Sequence, residues 1–240
     1  MLPPRWARRL LVAPLVPLAT ILLLASLPVS LLVAAVASTF LPGRWRALRV
    51  LYFLVIYLLA DTVAIGWLFL LWIGSGFGRR LQEPRWQARH YAMMRAYLGL
   101  LVHAATRVFR VGADLDSEEL PRLDGQDRRP VLVLSRHAGP GDSFLLAHAV
   151  LQAERRPRIV LKGALQWEPV IDIGLNRVPR FFVERGAPRG TGTRAVRELA
   201  STMGPEDALI LFPEGKNYTP GRRLLSIDAL EGQGRHAEAE

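Results

Sequence analysis

The chain has 240 residues, of which 50% are hydrophobic, no cysteine and a formal charge of +10. The missing cysteine excludes thiol nucleophiles, Cys-ligated zinc and disulfides, and says little about compartment. Of the 31 basic residues only Lys162 and Lys216 are lysine, an arginine bias that base composition largely explains. The basic residues are scattered without a recognition motif, which sets nucleic acid aside, and adhesion to anionic lipid headgroups is the functional reading of the charge.

Two apolar runs open the chain. Leu10–Phe40 carries no charged residue and Val50–Phe77 carries only Asp61. Each exceeds the roughly 20 apolar residues that a helix needs to cross a bilayer core. The short arginine-bearing connector Leu41–Arg49 makes the pair read as a membrane hairpin over residues 1–80. A secretory signal peptide is the competing reading, with Arg5, Arg8 and Arg9 as the basic region and Val33–Ser38 as the small-residue site. The first run is about twice the usual signal core and a second run follows at once, which favours retained helices. Pro14, Pro17 and Pro28 predict a kinked or partly re-entrant first helix, because each removes a backbone donor. Arginines flank both hairpin ends and the connector, so the positive-inside rule is nearly balanced. A shallow hairpin with every arginine on one side and a full double crossing both fit that balance.

Pro84–Val108 has apolar residues near helical spacing with arginines between them, and predicts an amphipathic connecting helix within residues 81–110. Asp114–Pro130 is polar and turn-rich, a surface loop. The pattern then alternates: strand Val131–Leu134, helix Ser143–Glu154, strand Arg158–Leu161, short helix or turn Glu168–Leu175, strand Phe181–Glu184, helix Thr191–Met203 and strand Ala208–Phe212. This predicts an α/β domain over residues 111–240, a mainly parallel sheet with flanking helices. Ligands of such sheets sit beyond the carboxyl ends of the strands. His137, Lys162, Arg185 and Glu214 each lie just past a strand end. Leu224–Glu240 turns polar and glycine-punctuated, with no further strand.

His137 and Asp142 carry the clearest chemistry. Gly139, Pro140 and Gly141 force a sharp turn between them that can fold the carboxylate back toward the imidazole. A carboxylate on one ring nitrogen fixes the tautomer and leaves the other nitrogen to accept a proton from a substrate hydroxyl. Asp142 equally suits the N-cap of the helix that follows. His90, His103, His148 and His236 have no such partner and read as structural or exposed. Phe212-Pro213-Glu214-Gly215 sets a carboxylate between a strand and a glycine turn, where it can hold an acceptor hydroxyl. Lys162, Arg185 and Lys216 can form an oxyanion clamp, with solvated surface cations as the alternative for each. No nucleophile elbow, Walker loop, dinucleotide fingerprint or HExxH motif occurs.

Together these segments resemble the glycerolipid acyltransferase family, the PlsC-like enzymes of the 1-acylglycerol-3-phosphate acyltransferase type. The family's His-x4-Asp motif is matched by His137 and Asp142. Its second block resembles Lys162, Pro169, Gly174 and Phe182-Val183-Glu184-Arg185, and its third, Phe-Pro-Glu-Gly-Thr-Arg, is matched at Phe212, Pro213, Glu214 and Gly215. The hairpin resembles the family's two-helix anchor. Two departures stand out: Lys216-Asn217 replaces the Thr-Arg that holds the acceptor phosphate, and the family's fourth, proline-bearing block is absent.

The resemblance implies transfer of an acyl group from acyl-CoA or acyl carrier protein to a lysophospholipid-like acceptor at the lipid bilayer. It implies His137 and Asp142 as catalytic, and Glu214, Gly215, Lys162, Arg185 and Lys216 as substrate-binding. No metal or cofactor is called for, since the thioester is a substrate. The expected location is a membrane, the bacterial inner membrane with the catalytic domain on its cytoplasmic side. A non-catalytic homologue and a lipid hydrolase using the same dyad are the alternatives.

Overall fold

A computed structural model of the chain describes residues 2–110, 129–136, 139, 141–184, 186, 188, 190–212, 220–232 and 234. The first apolar run is broken into three helices: α1 (Arg5–Leu11), α2 (Leu15–Ala25) and α3 (Leu27–Phe40). The breaks fall beside Pro14 and Pro28, each missing the N–H a continuous helix would need. Pro17 sits in the first turn of α2, where its donor is not missed. The second run is one 29-residue helix, α4 (Arg46–Gly74), about 43 Å long at 1.5 Å per residue.

Helix α2 packs on α4 through a polar clasp. Thr20 Oγ1 lies 2.8 Å from Thr62 Oγ1 and donates to the carbonyl of Leu58. Elsewhere α2, α3 and the first half of α4 expose large apolar side chains, among them Ile21, Leu22, Leu32 and Tyr52. Two helical stretches, Arg5–Ala25 and Arg46–Gly74, are long and apolar enough to cross a membrane. They suggest membrane association. Arginines lie near both ends of α4. Arg46 and Arg49 lie at the start of α4, while the end of that helix packs against the α/β unit, about 40 Å along its axis.

After the hairpin comes α5 (Pro84–Phe109), whose buried face runs Trp86, His90, Met93, Leu101, Ala104 and Val108 at helical spacing. Gly74 ends α4 where a side chain has no room: a Cβ there would come within 2.8 Å of the Trp86 ring. The remaining elements are β1 (Val131–Leu134), α6 (Asp142–Gln152), β2 (Arg156–Lys162), a 3-10 turn (Gly163–Trp167), α7 (Pro169–Leu175), β3 (Arg180–Val183), α8 (Thr191–Ser201), β4 (Asp207–Leu211) and α9 (Pro220–Glu231). Among the described residues the four strands form one parallel sheet in the order β1-β4-β2-β3. The predicted fold class holds. Helix α9 occupies the start of the segment expected to be a polar tail.

The core does not respect the boundary between hairpin and α/β unit. Ala64 and Leu68 of α4 join Met93 and Leu98 of α5, Val150 and Leu151 of α6, Ile159 of β2 and Ile210 of β4 in one buried cluster. The inner half of α4 is thus a core helix on one face and exposes Val63 and Leu70 on the other.

Candidate active site

Because the four strands are parallel, their carboxyl ends share one edge of the sheet. The segments expected to carry chemistry leave the sheet at Leu134, Lys162, Val183 and Leu211. Strand β4 lies between β1 and β2, so the chain entering the Phe-Pro-Glu-Gly motif leaves from the centre. The Ser135 N–H donates to the Leu211 carbonyl at 3.0 Å, extending the β1–β4 pairing past the last residue of β1. His137 follows Ser135 by two positions, and Glu214 follows Phe212 by two. His137, Arg185, Glu214, Gly215 and Lys216 all lie outside the described residues.

Asp142 is described, and its carboxylate turns back on the loop before it. Oδ2 accepts the Gly139 N–H at 2.5 Å. Gly141 is the N-cap of α6 and Asp142 its first residue, so the expected N-cap role is corrected by one position. A carboxylate in the first turn is still favoured by the positive end of the helix.

Lys162 is the last residue of β2, exposed, and paired in register with Val183 of β3. The turn that follows approaches β3 closely: a Cβ at Gly163 would meet the Val183 carbonyl at 3.3 Å. The next two residues of the second block do structural work. Pro169 occupies the first turn of α7, and Gly174 is buried with a Cβ position 3.8 Å from Leu68 of α4. Phe182 packs on the core from β3.

Helix α7 is held by three polar devices. Glu168 caps it, accepting from the N–H groups of Val170 and Ile171 at 2.9 and 2.6 Å. Burial, followed by the charge of Asp61, raises the Glu168 pKa to about 7 against the pull of those two donors. Asp172 is buried and takes Arg8 Nη2 at 2.5 Å on Oδ1 and Arg9 Nε at 3.1 Å on Oδ2. Arg177, just after the helix, donates to the Leu68 carbonyl at 2.8 Å and to His90 Nε2 at 3.2 Å. Burial lowers its pKa to about 10.

The histidines read as structural that are described sit as expected. His90 is fully buried, with Nδ1 donating to the Trp86 carbonyl at 2.8 Å while Nε2 accepts from Arg177. Burial holds its pKa below the ordinary imidazole value. His148 packs beside Gly99 of α5, and burial lowers its pKa too.

Sequence reasoning missed one group. Arg5 and Arg8, by sequence a basic flank of the hairpin, line a cavity with Arg180 and Glu184 at the outer edge of β3. Nothing in the spacing of the sequence joins α1 to Asp172, more than 160 positions away.

Residues 115–230 match the family model described as Acyltransferase. No curated protein and no solved structure matches the chain. The match runs from before β1 into α9 and takes in the whole parallel sheet. Residues 115–230 form a domain of the acyltransferase family, that of the 1-acylglycerol-3-phosphate acyltransferases, and this domain supports an acyltransferase enzyme.

Proposed function

We propose that the protein is a membrane-bound acyltransferase that moves a fatty acyl group from acyl-CoA or acyl carrier protein to a hydroxyl of a lysophospholipid-like acceptor. His137 takes the proton of that hydroxyl as its oxygen attacks the thioester carbonyl. The carbon–sulfur bond then breaks, and the departing thiolate takes the proton from the imidazolium, leaving an ester and a free thiol. Asp142 orients His137 and stabilises its charged form. Glu214 and Gly215 position the acceptor, while Lys162, Arg185 and Lys216 hold its anionic head.

One observation carries this reading beyond the family match: the Asp142 carboxylate is folded back over the turn that follows β1, bonded to Gly139 N–H. It faces the loop that delivers His137 rather than solvent beyond the helix. The parallel sheet supports it further, since the segments bearing His137, Lys162, Arg185 and Glu214 leave from one edge. The apolar helix α4 shares a core with the sheet, and α2 packs on α4, an arrangement that would keep the sheet near lipid substrates. The proposed location is the bacterial inner membrane with the sheet on the cytoplasmic side, where the thioesters are.

The test is product analysis. Membranes carrying the protein are supplied with labelled acyl-CoA, or labelled acyl carrier protein, and a panel of lysolipids. An acylated lipid that forms only with an acceptor is expected. Labelled free fatty acid released without an acceptor would mean hydrolysis, and no turnover with any pair would overturn the assignment.

A further inference from the structure

A cavity of about 360 Å³ lies between α1 and the outer edge of β3. Its walls include three guanidinium groups, Arg5, Arg8 and Arg180, together with Gln166, Phe182 and Glu184. The volume is at the lower end of the range for ligand sites and suits a compact polar group better than an acyl chain.

The charge here is unbalanced among the described residues. Asp172 alone serves both Arg8 and Arg9. Arg5 and Arg180 pair with no carboxylate among the described residues, and Glu184 at the rim makes no ion pair there either. Arg180 donates from Nη2 to Asn176 Oδ1 at 2.6 Å, and its guanidinium lies 5.8 Å from the centre of the Phe182 ring. These contacts fix the side chain yet leave donors over. The Nε atoms of Arg8 and Arg180 are buried without a hydrogen-bond partner, and Arg8 itself is 6% exposed. Burial, and then the charge of Arg5, lowers the Arg180 pKa. Buried donors left unsatisfied and cations held together are both unfavourable until an anion arrives.

We propose that this cavity binds a phosphate ester, held by Arg5 and Arg180 with Arg8 behind them. A guanidinium presents a planar fork of donors that matches two phosphate oxygens at once, and an oxyanion satisfies several converging donors. Two molecules of the acyl-transfer reading carry such an ester, the lipid headgroup and the thioester carrier. The site goes beyond that reading, because none of its three arginines belongs to the segments matched to the family's motifs. It also explains why α1 is pinned to α7 immediately before the apolar helices begin.

The full chain in detergent micelles is titrated calorimetrically with inorganic phosphate, glycerol 3-phosphate and adenosine 3′,5′-bisphosphate, with glycerol and adenosine as neutral controls. The phosphate compounds bind the wild type, and the Arg5→Gln/Arg180→Gln double variant weakens that binding about tenfold or more. Arg5→Gln alone gives the same direction. Arg5 is exposed and its side chain makes no hydrogen bond or ion pair among the described residues, so its loss leaves the melting temperature unchanged. Tighter glycerol 3-phosphate identifies the headgroup as the source, and tighter bisphosphate the carrier. His137→Ala binds all probes as the wild type does, so this result stands apart from the fate of the dyad. Absence of phosphate binding to the wild type, or equal affinity in both arginine variants, overturns the proposal.

Discussion

Arg8 and Asp172 are separated by 164 positions, yet Nη2 of the first lies 2.5 Å from Oδ1 of the second and both side chains are almost fully buried. Gln166 adds its side-chain oxygen to the same guanidinium at 3.0 Å, and the Asn176 amide bonds Asp172 Oδ1 at 3.1 Å. The N-terminal helix is thereby fastened to the helix between the second and third strands. A segment destined for removal would leave Asp172, which is 1% exposed, without both of its cations.

Removing one partner of a buried ion pair strands the other charge. Asp172→Ala should destabilise the protein by about 3–5 kcal/mol, read as a lower denaturant midpoint or melting temperature in micelles. Asp172→Asn, which keeps one acceptor, should cost less. A midpoint unchanged in both would show that α1 is not held there.

Leu68 tests whether the second apolar helix belongs to the core. It is fully buried against Gly174 and the cluster reaching Ile159 and Ile210. Leu68→Ala should cost about 2–5 kcal/mol through lost burial and the cavity left behind. Val63→Ala, on the exposed face of the same helix, should change stability in micelles far less. Equal effects from the two would mean that α4 is an anchor independent of the sheet.

Glu168 makes stability depend on pH. Its folded pKa is raised from 4.5 to about 7, chiefly by burial. The folded state then holds its proton more tightly than the unfolded state, so stability is greatest below about pH 4.5 and falls as pH rises toward 7. Above that it levels off. Glu168→Gln, which cannot ionise, should flatten the fall between pH 5 and 8, measured as melting temperature against pH. An unchanged slope would point to another group.

Much of the α/β unit was legible in the sequence. The strand Val131–Leu134 is observed with the bounds its apolar run predicted, and the other three strands shift by one or two residues. Strong alternation of short apolar runs with helical periods leaves little else for such segments to form. The order of strands was not legible, because β4 inserts between β1 and β2 through contacts that no local pattern encodes. Helix Pro220–Glu231 was not legible, since Leu224–Glu240 reads as a polar, glycine-punctuated tail. For the candidate site, the turn that folds Asp142 back was readable from its glycines, and Lys162 from its place at a strand end. The arginine cavity was not, because Arg5, Arg8 and Arg180 meet only when α1 docks on α7.

Asp142 should be less costly to change than His137. Asp142→Asn keeps an acceptor for the Gly139 N–H and lowers the rate by weakening the orientation and charge stabilisation of the imidazole. A full loss of folding in this variant, seen as a collapsed melting transition, would mean that the carboxylate holds the turn and little more.

The most direct test of the account is the rate of acyl transfer to a lysolipid acceptor by His137→Ala beside the wild type, in membranes with matched protein levels. The account predicts a fall of about 10²–10⁴-fold with the melting temperature unchanged. Equal rates and identical products from the two proteins would contradict it.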